Sequence, residues 1–495
     1  MISEIEQTRI CVAQGADRKK RARLGQFFTP ATIARFMADS FARGHKRDCR
    51  LLDAGAGIGS LSAAFLERWA DGGFSFRHVE VDAFEIDDSL LPYLAETVDK
   101  YGKRLNVALN VRHADFVRVA ADWLGKDLFA ETPPVYTHAI LNPPYKKIRS
   151  DSEYRLALRR AGIETVNLYS AFVALALSLL EEGGEIVAII PRSFCNGPYY
   201  RPFREYLLER SGIRHIHLFG SRSKAFKDDD VLQENVIIRL ERGGKQGAVT
   251  VSISSDDSFN DLSSYDYPFD KIVSPDDPER FIHIPVAPEM TSIEASSAVR
   301  YSLSDIGIGV STGPVVDFRL KEHLRDTAEA GTVPLLYPGH FSGHCIEWPK
   351  RGFKKPNAIA HNGDTERWLY PNGTYCVVRR FSSKEEKRRV VARVVDSAMF
   401  PGTAMLGFEN HLNVFHEKKH GLPQPLAYGL SVYLNSTGVD EFFRRFNGHT
   451  QVNATDLKSM KYPSRDVLMG LGFWALRRKE LTQAMIDHKV GSVTM

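Results

Sequence analysis

Arg50-Leu51-Leu52-Asp53-Ala54-Gly55-Ala56-Gly57-Ile58-Gly59-Ser60-Leu61 decides how the chain folds. Its apolar start reads as the end of a strand. Three alternating glycines then make a turn, and Ser60-Leu61, continued by Ala63, Ala64, Phe65, Leu66 and Trp69, starts a helix. Glycine lets the backbone turn tightly and approach a ligand closely at a helix N-terminus. The spacing is Gly-x-Gly-x-Gly, not the Gly-x-Gly-x-x-Gly of dinucleotide enzymes, and no lysine follows to grip a triphosphate. Asp53, just before the turn, suits a ligand with hydroxyl or positive groups better than one with phosphates. A tight turn with no ligand would look the same, so the segments around it matter.

Downstream, strands alternate with helices. Val79 to Asp87 is a second strand ending near Glu85, where a carboxylate can accept from two ribose hydroxyls. Asp87-Asp88-Ser89 can cap the next helix. A third strand, Leu105 to Val111, leads to His113-Ala114-Asp115-Phe116. There an acid beside an aromatic can accept from an adenine amine and pack on its ring, or can be a helix cap and a core phenylalanine. The apolar run Tyr136 to Ile140 is a fourth, buried strand, stopped by Leu141-Asn142-Pro143-Pro144-Tyr145, because two prolines cannot donate to a sheet ladder. A helix from Leu168 to Leu180, a strand from Glu185 to Pro191, a helix from about Tyr200 to Arg210, and strands Arg214 to Phe219 and Asn235 to Leu240 complete the pattern. It predicts a doubly wound, mostly parallel α/β sheet. Ligands bind such sheets at the carboxyl ends of the strands, where the Asn-Pro-Pro-Tyr stretch falls.

The chain has 495 residues, too many for one ordinary core. Hydrophobic content of 43% and charged content of 25% fit a globular protein, and no apolar stretch is long enough to predict a membrane span. Five scattered cysteines (Cys11, Cys49, Cys195, Cys345, Cys376) include no Cys-x-x-Cys pair, so reduced thiols, a cytoplasmic setting and no structural metal are expected. The net charge of +4 is uneven: residues 1–300 hold 39 basic and 42 acidic side chains, residues 301–495 hold 26 and 19. Three regions are therefore expected: an α/β domain over 1–244, a Ser/Asp/Pro-rich linker with short strands over 245–300, and a mixed α+β domain over 301–495. The positive C-terminal part suits a polyanion, though a solvated surface would carry the same residues.

Gly25-Gln26-Phe27-Phe28-Thr29-Pro30, Asp-x-Gly-x-Gly-x-Gly at 53–59, Glu85-Ile86-Asp87, Ala114-Asp115-Phe116 and Asn142-Pro143-Pro144-Tyr145 occur in that order. In this the chain resembles the gamma class of DNA adenine-N6 methyltransferases, the modification enzymes of type II restriction–modification systems. Val310-Ser311-Thr312-Gly313-Pro314, the segment from Arg380 to Glu386 and the segment from Thr450 to Leu457 look like parts of the same enzymes. The resemblance implies a Rossmann-like class I methyltransferase fold with S-adenosylmethionine as cofactor, duplex DNA as substrate, a target-recognition domain over 301–495 and a cognate restriction endonuclease. Thr29 and Pro30 would lie against the methionine end of the cofactor, with Asp53, Ala54, Gly55 and Gly57. Glu85 would take the ribose, Ile86 pack on adenine, and Asp115 accept from the cofactor's adenine amine beside Phe116. Oligomeric state, monomer or dimer, is not implied.

The chemistry of Asn142-Pro143-Pro144-Tyr145 agrees. An adenine amine is a poor nucleophile because its lone pair is delocalised. The Asn142 oxygen and the Pro143 carbonyl can each accept one amine hydrogen, which localises that pair. The prolines fix the carbonyl's direction, and Tyr145 can stack on a flipped base, with Phe226, or alternatively Phe194, on its other face. Helix capping by Thr29, with Pro30 in the first turn, is a simpler reading of those two residues. The Asn-Pro-Pro-Tyr stretch alone is shared with enzymes that methylate RNA or protein glutamine, and cytosine-N4 methylation needs the same amine chemistry. A DNA-binding specificity subunit is a third possibility, which the intact stretch disfavours. No Pro-Cys dipeptide is present, against cytosine-C5 chemistry. His416-Glu417-Lys418-Lys419-His420 matches a zinc pattern in letters, but a basic loop is the better reading. Lys384 to Arg393 and Arg444-Arg445 are further phosphate-contact candidates, or a solvated helix face.

Overall fold

The computed structural model describes residues 2–15, 20, 24–44, 47–103, 105, 107–125, 132–220, 234–275, 277–285, 293, 296–342, 345–382, 386–446 and 451–494. The chain forms two compact units, residues 1–286 and 287–495.

The first unit is built on β1 (Asp48–Ala54), β2 (His78–Glu85), β3 (Val107–His113), β4 (Tyr136–Leu141), β5 (Leu180–Pro191), β6 (Ser211–Phe219), β7 (Asn235–Arg242), β8 (Val249–Ser254) and β9 (Ser263–Tyr267). They form one nine-stranded sheet in the order β3-β2-β1-β4-β5-β7-β6-β8-β9. The pairings from β3 through β5 are parallel, and β7 enters antiparallel between β5 and β6. This is the doubly wound, Rossmann-like sheet expected of a class I methyltransferase.

Side-chain alternation explains why both faces are covered. On β4 and β5, Ala139, Leu141, Ile186, Ala188 and Ile190 enter one core, while Ile140, Val187 and Ile189 enter the other. A strand apolar at every position is stable only when helices bury both its faces. The first face carries α5 (Phe116–Leu124), α6 (Glu153–Arg160), α7 (Leu168–Leu179) and α8 (Arg201–Arg210). The second carries α1 (Ile2–Gly15), α2 (Ala31–Asp39), α3 (Ser60–Ala70) and α4 (Leu91–Gly102). Helix α7 is apolar nearly all round and has ten buried residues, as its composition requires.

Residues 245–285 do more than connect. β8 and β9 extend the sheet beyond β6, so the first unit continues past the expected boundary at 244. The Ser/Asp-rich segment between them is a pinned turn: Ser255 donates from its backbone to Asp261, and Phe259 stacks on Phe36 at 4.3 Å. Its polar letters read as linker because the anchoring ring is a single residue.

The second unit is mixed α+β. A four-stranded antiparallel sheet runs in spatial order Gly309–Thr312, Leu412–His416, Tyr375–Arg379, Ala392–Val395, and a five-stranded sheet lies in the same unit. The C-terminal stretch forms two helices, Arg465–Leu476 and Gln483–Thr494. The charged run Arg477-Arg478-Lys479-Glu480 interrupts the apolar stripe, and the Thr482 hydroxyl accepts from Met485 N to restart the helix. Helices Gln424–Leu434 and Arg465–Leu476 cross closely: a Cβ at Gly429 would sit 1.8 Å from the Leu468 carbonyl oxygen, so only glycine fits. No helix among the described residues is long and apolar enough to cross a membrane.

Candidate active site

A cleft of ≈ 250 Å³ opens where β1, β2, β3 and β4, neighbours in the sheet, end. Gly55 and Gly57 follow β1, Glu85 and Ile86 close β2, Asp115 and Phe116 follow β3, and Asn142 and Pro144 follow β4; all line this cleft.

The glycine turn is fixed from beneath. Gly55 N and Ala56 N donate to the Phe84 carbonyl at 2.9 and 2.8 Å, and Gly57 N donates to Glu85 Oε2 at 2.8 Å. Gly57 has φ +59, in the left-handed region that side chains resist. Gly59 stands at the N-cap of α3 and has no side chain to satisfy the helix's free amides. Asp53 does so from the strand: its Oδ2 accepts from Ser62 N at 3.2 Å and Ser62 Oγ at 2.6 Å. Its other oxygen, Oδ1, is buried and has no partner among the described residues. Burial pushes the Asp53 carboxyl up to about 7, against the Ser62 hydrogen bonds. Asp53 and Ala54 are fully buried and do not themselves line the cleft.

Glu85 is buried and each oxygen already accepts one backbone N–H, Oε2 from Gly57 and Oε1 from Asp87 at 2.7 Å. A carboxylate has about four acceptor positions, so two remain for a ligand. Burial holds its pKa above the ordinary carboxylate range despite those bonds. Ile86 is 48% exposed, a large apolar side chain left open on the cleft wall. Asp87 makes a turn rather than a helix cap, accepting from Ser89 N at 3.0 Å, while the N-cap position of α4 falls to Leu90.

Asp115 is the N-cap of α5, its Oδ1 accepting from Val117 N at 3.0 Å. The capping reading of this residue therefore holds while it also faces the cleft. Its Oδ2 accepts from the Tyr154 hydroxyl. Burial, then this bond, pushes the Tyr154 phenol up to about 12. Phe116 is buried against Phe84 and Phe172, at 5.3 and 5.2 Å between ring centres.

Asn142 is the most constrained polar group here. Its Nδ2 donates to the Phe27 carbonyl and to Thr29 Oγ1, both at 2.9 Å. Phe27 O can only accept, so the amide's orientation is settled and both its hydrogens are used. Oδ1 is left as the acceptor, with the Tyr145 hydroxyl 3.3 Å away. The segment 25–29 clasps the loop further: Tyr145 N donates to the Gly25 carbonyl at 3.2 Å, and the Phe27 and Tyr145 rings lie 5.2 Å apart. Thr29 thus does not cap α2. Pro30 occupies the N-cap position, and Glu6 of α1 accepts from Ala31 N at 2.9 Å instead.

The remaining positions divide. Pro143 is buried, and no hydrogen bond among the described residues reaches its carbonyl. Tyr145 packs edge-on against Tyr169 with its hydroxyl toward Asn142 and Ile189, and burial lifts its pKa well above the ordinary value. It is not among the cleft-lining residues. Phe194 is 1% exposed and packed on Phe203, so this alternative for base stacking is a core residue. Phe226 lies outside the described residues. His416-Glu417-Lys418-Lys419-His420 ends a strand in a tight turn, with Lys418 and Lys419 at φ +47 and +68, not the helix its zinc reading needs. Sequence reasoning missed the Phe27 and Gly25 carbonyls, Ser62 and Tyr154. The first two are backbone groups with no letter to announce them; Ser62 sits in the first turn of α3, where its serine reads as an ordinary helix residue, and Tyr154 lies on a helix 39 residues from Asp115.

A family model described as Eco57I restriction-modification methylase matches residues 133–226. Over 477 residues the chain is 55% identical to the type II methyltransferase M.BsuBI of Bacillus subtilis, covering 95% of this chain and 94% of the relative. It is 42% identical over 464 residues to the type II methyltransferase M.PstI of Providencia stuartii, covering 91% and 89%. Among solved structures, the cryoEM structure of a DrdV–DNA complex matches with a TM-score of 0.50 at 13% identity, over 93% of this chain and 58% of that one, a likeness of fold.

Proposed function

The chain belongs to the type II methyltransferases of restriction–modification systems, and from that premise we propose that it methylates adenine N6 within a specific duplex DNA sequence. The observation that carries the proposal is the Asn142 amide: both donors are engaged, leaving a fixed acceptor at the end of β4. Asn142 Oδ1 and the Pro143 carbonyl accept the two hydrogens of the target amine and draw its lone pair out of conjugation. Preorganised acceptors of this kind act in the transition state without reorganising.

S-adenosylmethionine, the cofactor, supplies a methyl group activated on a sulfonium. Its site fits the residues present: on the cleft wall Glu85 has acceptor positions to spare and Ile86 has an uncovered apolar side chain. Asp53 with the backbone of Ala54, Gly55 and Gly57 holds the methionine end, near Thr29 and Pro30. The spare acceptor positions of Glu85 take the ribose hydroxyls. Ile86, Asp115 and Phe116 bind adenine. The target base must leave the duplex, which costs a few kcal/mol of stacking. Stacking of the flipped ring on Tyr145, which lies beside Asn142 just outside the cleft lining, and on Phe226 would offset part of that cost. Residues 301–495, with their positive excess, read the DNA sequence, and modification there protects host DNA from a cognate endonuclease.

Incubation with methyl-labelled S-adenosylmethionine and unmethylated duplex DNA, followed by digestion to nucleosides, tests this. Label in N6-methyldeoxyadenosine is expected. Label confined to N4-methyldeoxycytidine, RNA or protein would overturn the reading.

A further inference from the structure

Among the described residues, the second unit contains two neighbouring arginines, Arg388 and Arg393, that no carboxylate neutralises. A cavity of ≈ 490 Å³ is lined by Arg379, Lys387, Arg388 and Arg393, with Glu386 as the one carboxylate among its described lining residues. Arg379 pairs with Glu386. Arg388 donates to the Ser436 carbonyl at 2.6 Å and Arg393 to the adjacent Ala392 carbonyl at 2.8 Å. Among the described residues neither reaches a carboxylate. The Nε atoms of Arg379, Arg388 and Arg393 are all buried and have no partner among the described residues. A guanidinium offers five donors in a rigid fork, so most of the donors of Arg388 and Arg393 are unspent.

Protein folds seldom gather unpaired cations, because burial and like charge both oppose it. Both are felt here: burial first, then Arg379 and Arg388, lower the pKa of Arg393. For Arg388 burial also leads, partly offset by Asp440 and Asp487, with Arg444 acting in the same sense as burial. Asp440 and Asp487 are otherwise committed. Asp440 binds Arg444 and the backbone amides of Arg389 and Val390, and Asp487 binds Thr437. Nor are residues 386–393 a solvated helix face: Arg393 stands on Ala392–Val395, the edge strand of the four-stranded sheet. Asn435 occupies that edge, its side chain bonding Ala392 N and O at 3.1 and 2.9 Å.

We propose that this cavity binds a phosphate group, held by the forks of Arg388 and Arg393 with Lys387 beside them, and that the working ligand is a DNA backbone phosphodiester. Paired guanidinium forks match tetrahedral oxyanions, which they bind bidentately. A metal ion is excluded by the charge, and an apolar ligand would leave the remaining guanidinium donors of Arg388 and Arg393 without an acceptor. The phosphate chemistry stands on the cavity alone; its DNA source rests on the function proposed above.

Two measurements separate those parts. Inorganic phosphate is expected to raise the Tm of the full-length protein more than sodium chloride at equal ionic strength, and Arg388→Gln and Arg393→Gln to abolish the difference. For duplex DNA, the slope of log K against log salt is expected to shrink by about 0.9 for each lost phosphate contact. Arg393→Lys, which keeps the charge and loses the fork, should retain part of the salt slope but lose the phosphate-specific Tm rise. A cooperative melt checks that each variant folds. Unchanged phosphate response and unchanged salt slope in both glutamine variants would overturn the site. Loss of the phosphate response with an unchanged slope would overturn DNA as the occupant in favour of a free phosphate. If the wild-type protein bound no DNA yet kept its phosphate response, the proposed function would fail and the anion site would stand.

Discussion

Thr29 Oγ1 accepts a hydrogen bond from the Asn142 amide at 2.9 Å, across 113 residues of sequence. With the Phe27 carbonyl on the other hydrogen, it holds the Asn142 oxygen in one direction. Thr29 is therefore a positioning residue for the amide, whatever it also contributes to the cofactor site. Thr29→Val keeps the shape and removes the acceptor. Leaving one buried donor unpaired costs roughly 1–3 kcal/mol, so the single-turnover methylation rate should fall about tenfold or more while the Kd for S-adenosylmethionine moves little. An affinity loss equal to the rate loss would place Thr29 chiefly on the cofactor.

Glu85 joins the turn after β1 to the end of β2 through its bonds to Gly57 N and Asp87 N. In Glu85→Gln one of those N–H groups faces another donor, and the charge that accepts ribose hydroxyls is gone. Hydrogen bonds to charged groups are worth about 1.5–3 kcal/mol each. Cofactor affinity should weaken about 10- to 100-fold by calorimetry, with a smaller change in kcat at saturating cofactor. Unchanged affinity would remove Glu85 from the site.

Asp53 sets a pH dependence. Its folded-state pKa of about 7 lies above the ordinary value of 3.8. Below 3.8 both folded and unfolded forms are protonated. As pH rises from there, the unfolded form ionises first, so this group's contribution to stability falls until about pH 7 and is level above it. Melts of the cofactor-free protein should show Asp53→Asn losing less Tm than wild type between pH 5 and pH 7. Parallel curves would mean that Asp53 is ionised throughout.

Much of this was legible in the sequence, for physical reasons. Strands apolar at every position, such as Ile186 to Ile190, announce a sheet buried on both faces. The Gly-x-Gly-x-Gly turn, Glu85, Asp115 and Asn142 were placed at strand ends, and the cleft gathers them. The resemblance supplied the family and the cofactor. What stayed hidden depends on distant partners. That Thr29 serves Asn142 while Glu6 binds the first amide of α2 is invisible without the packing of α1. Phe194 read as an available aromatic, and burial alone removes it. Residues 254–262 read as linker because one ring, Phe259 on Phe36, pins a polar loop.

The central claim is that the fixed oxygen of Asn142 activates the target amine, and Asn142→Ala tests it most directly. Methyl transfer to duplex DNA and cofactor Kd should be measured on the same preparation. Transfer is expected to fall by 10²-fold or more, the order seen when one oxyanion-hole donor is removed elsewhere, with Kd within a few-fold of wild type. Transfer at near wild-type rate, or a Kd lost in proportion to the rate, would contradict the account.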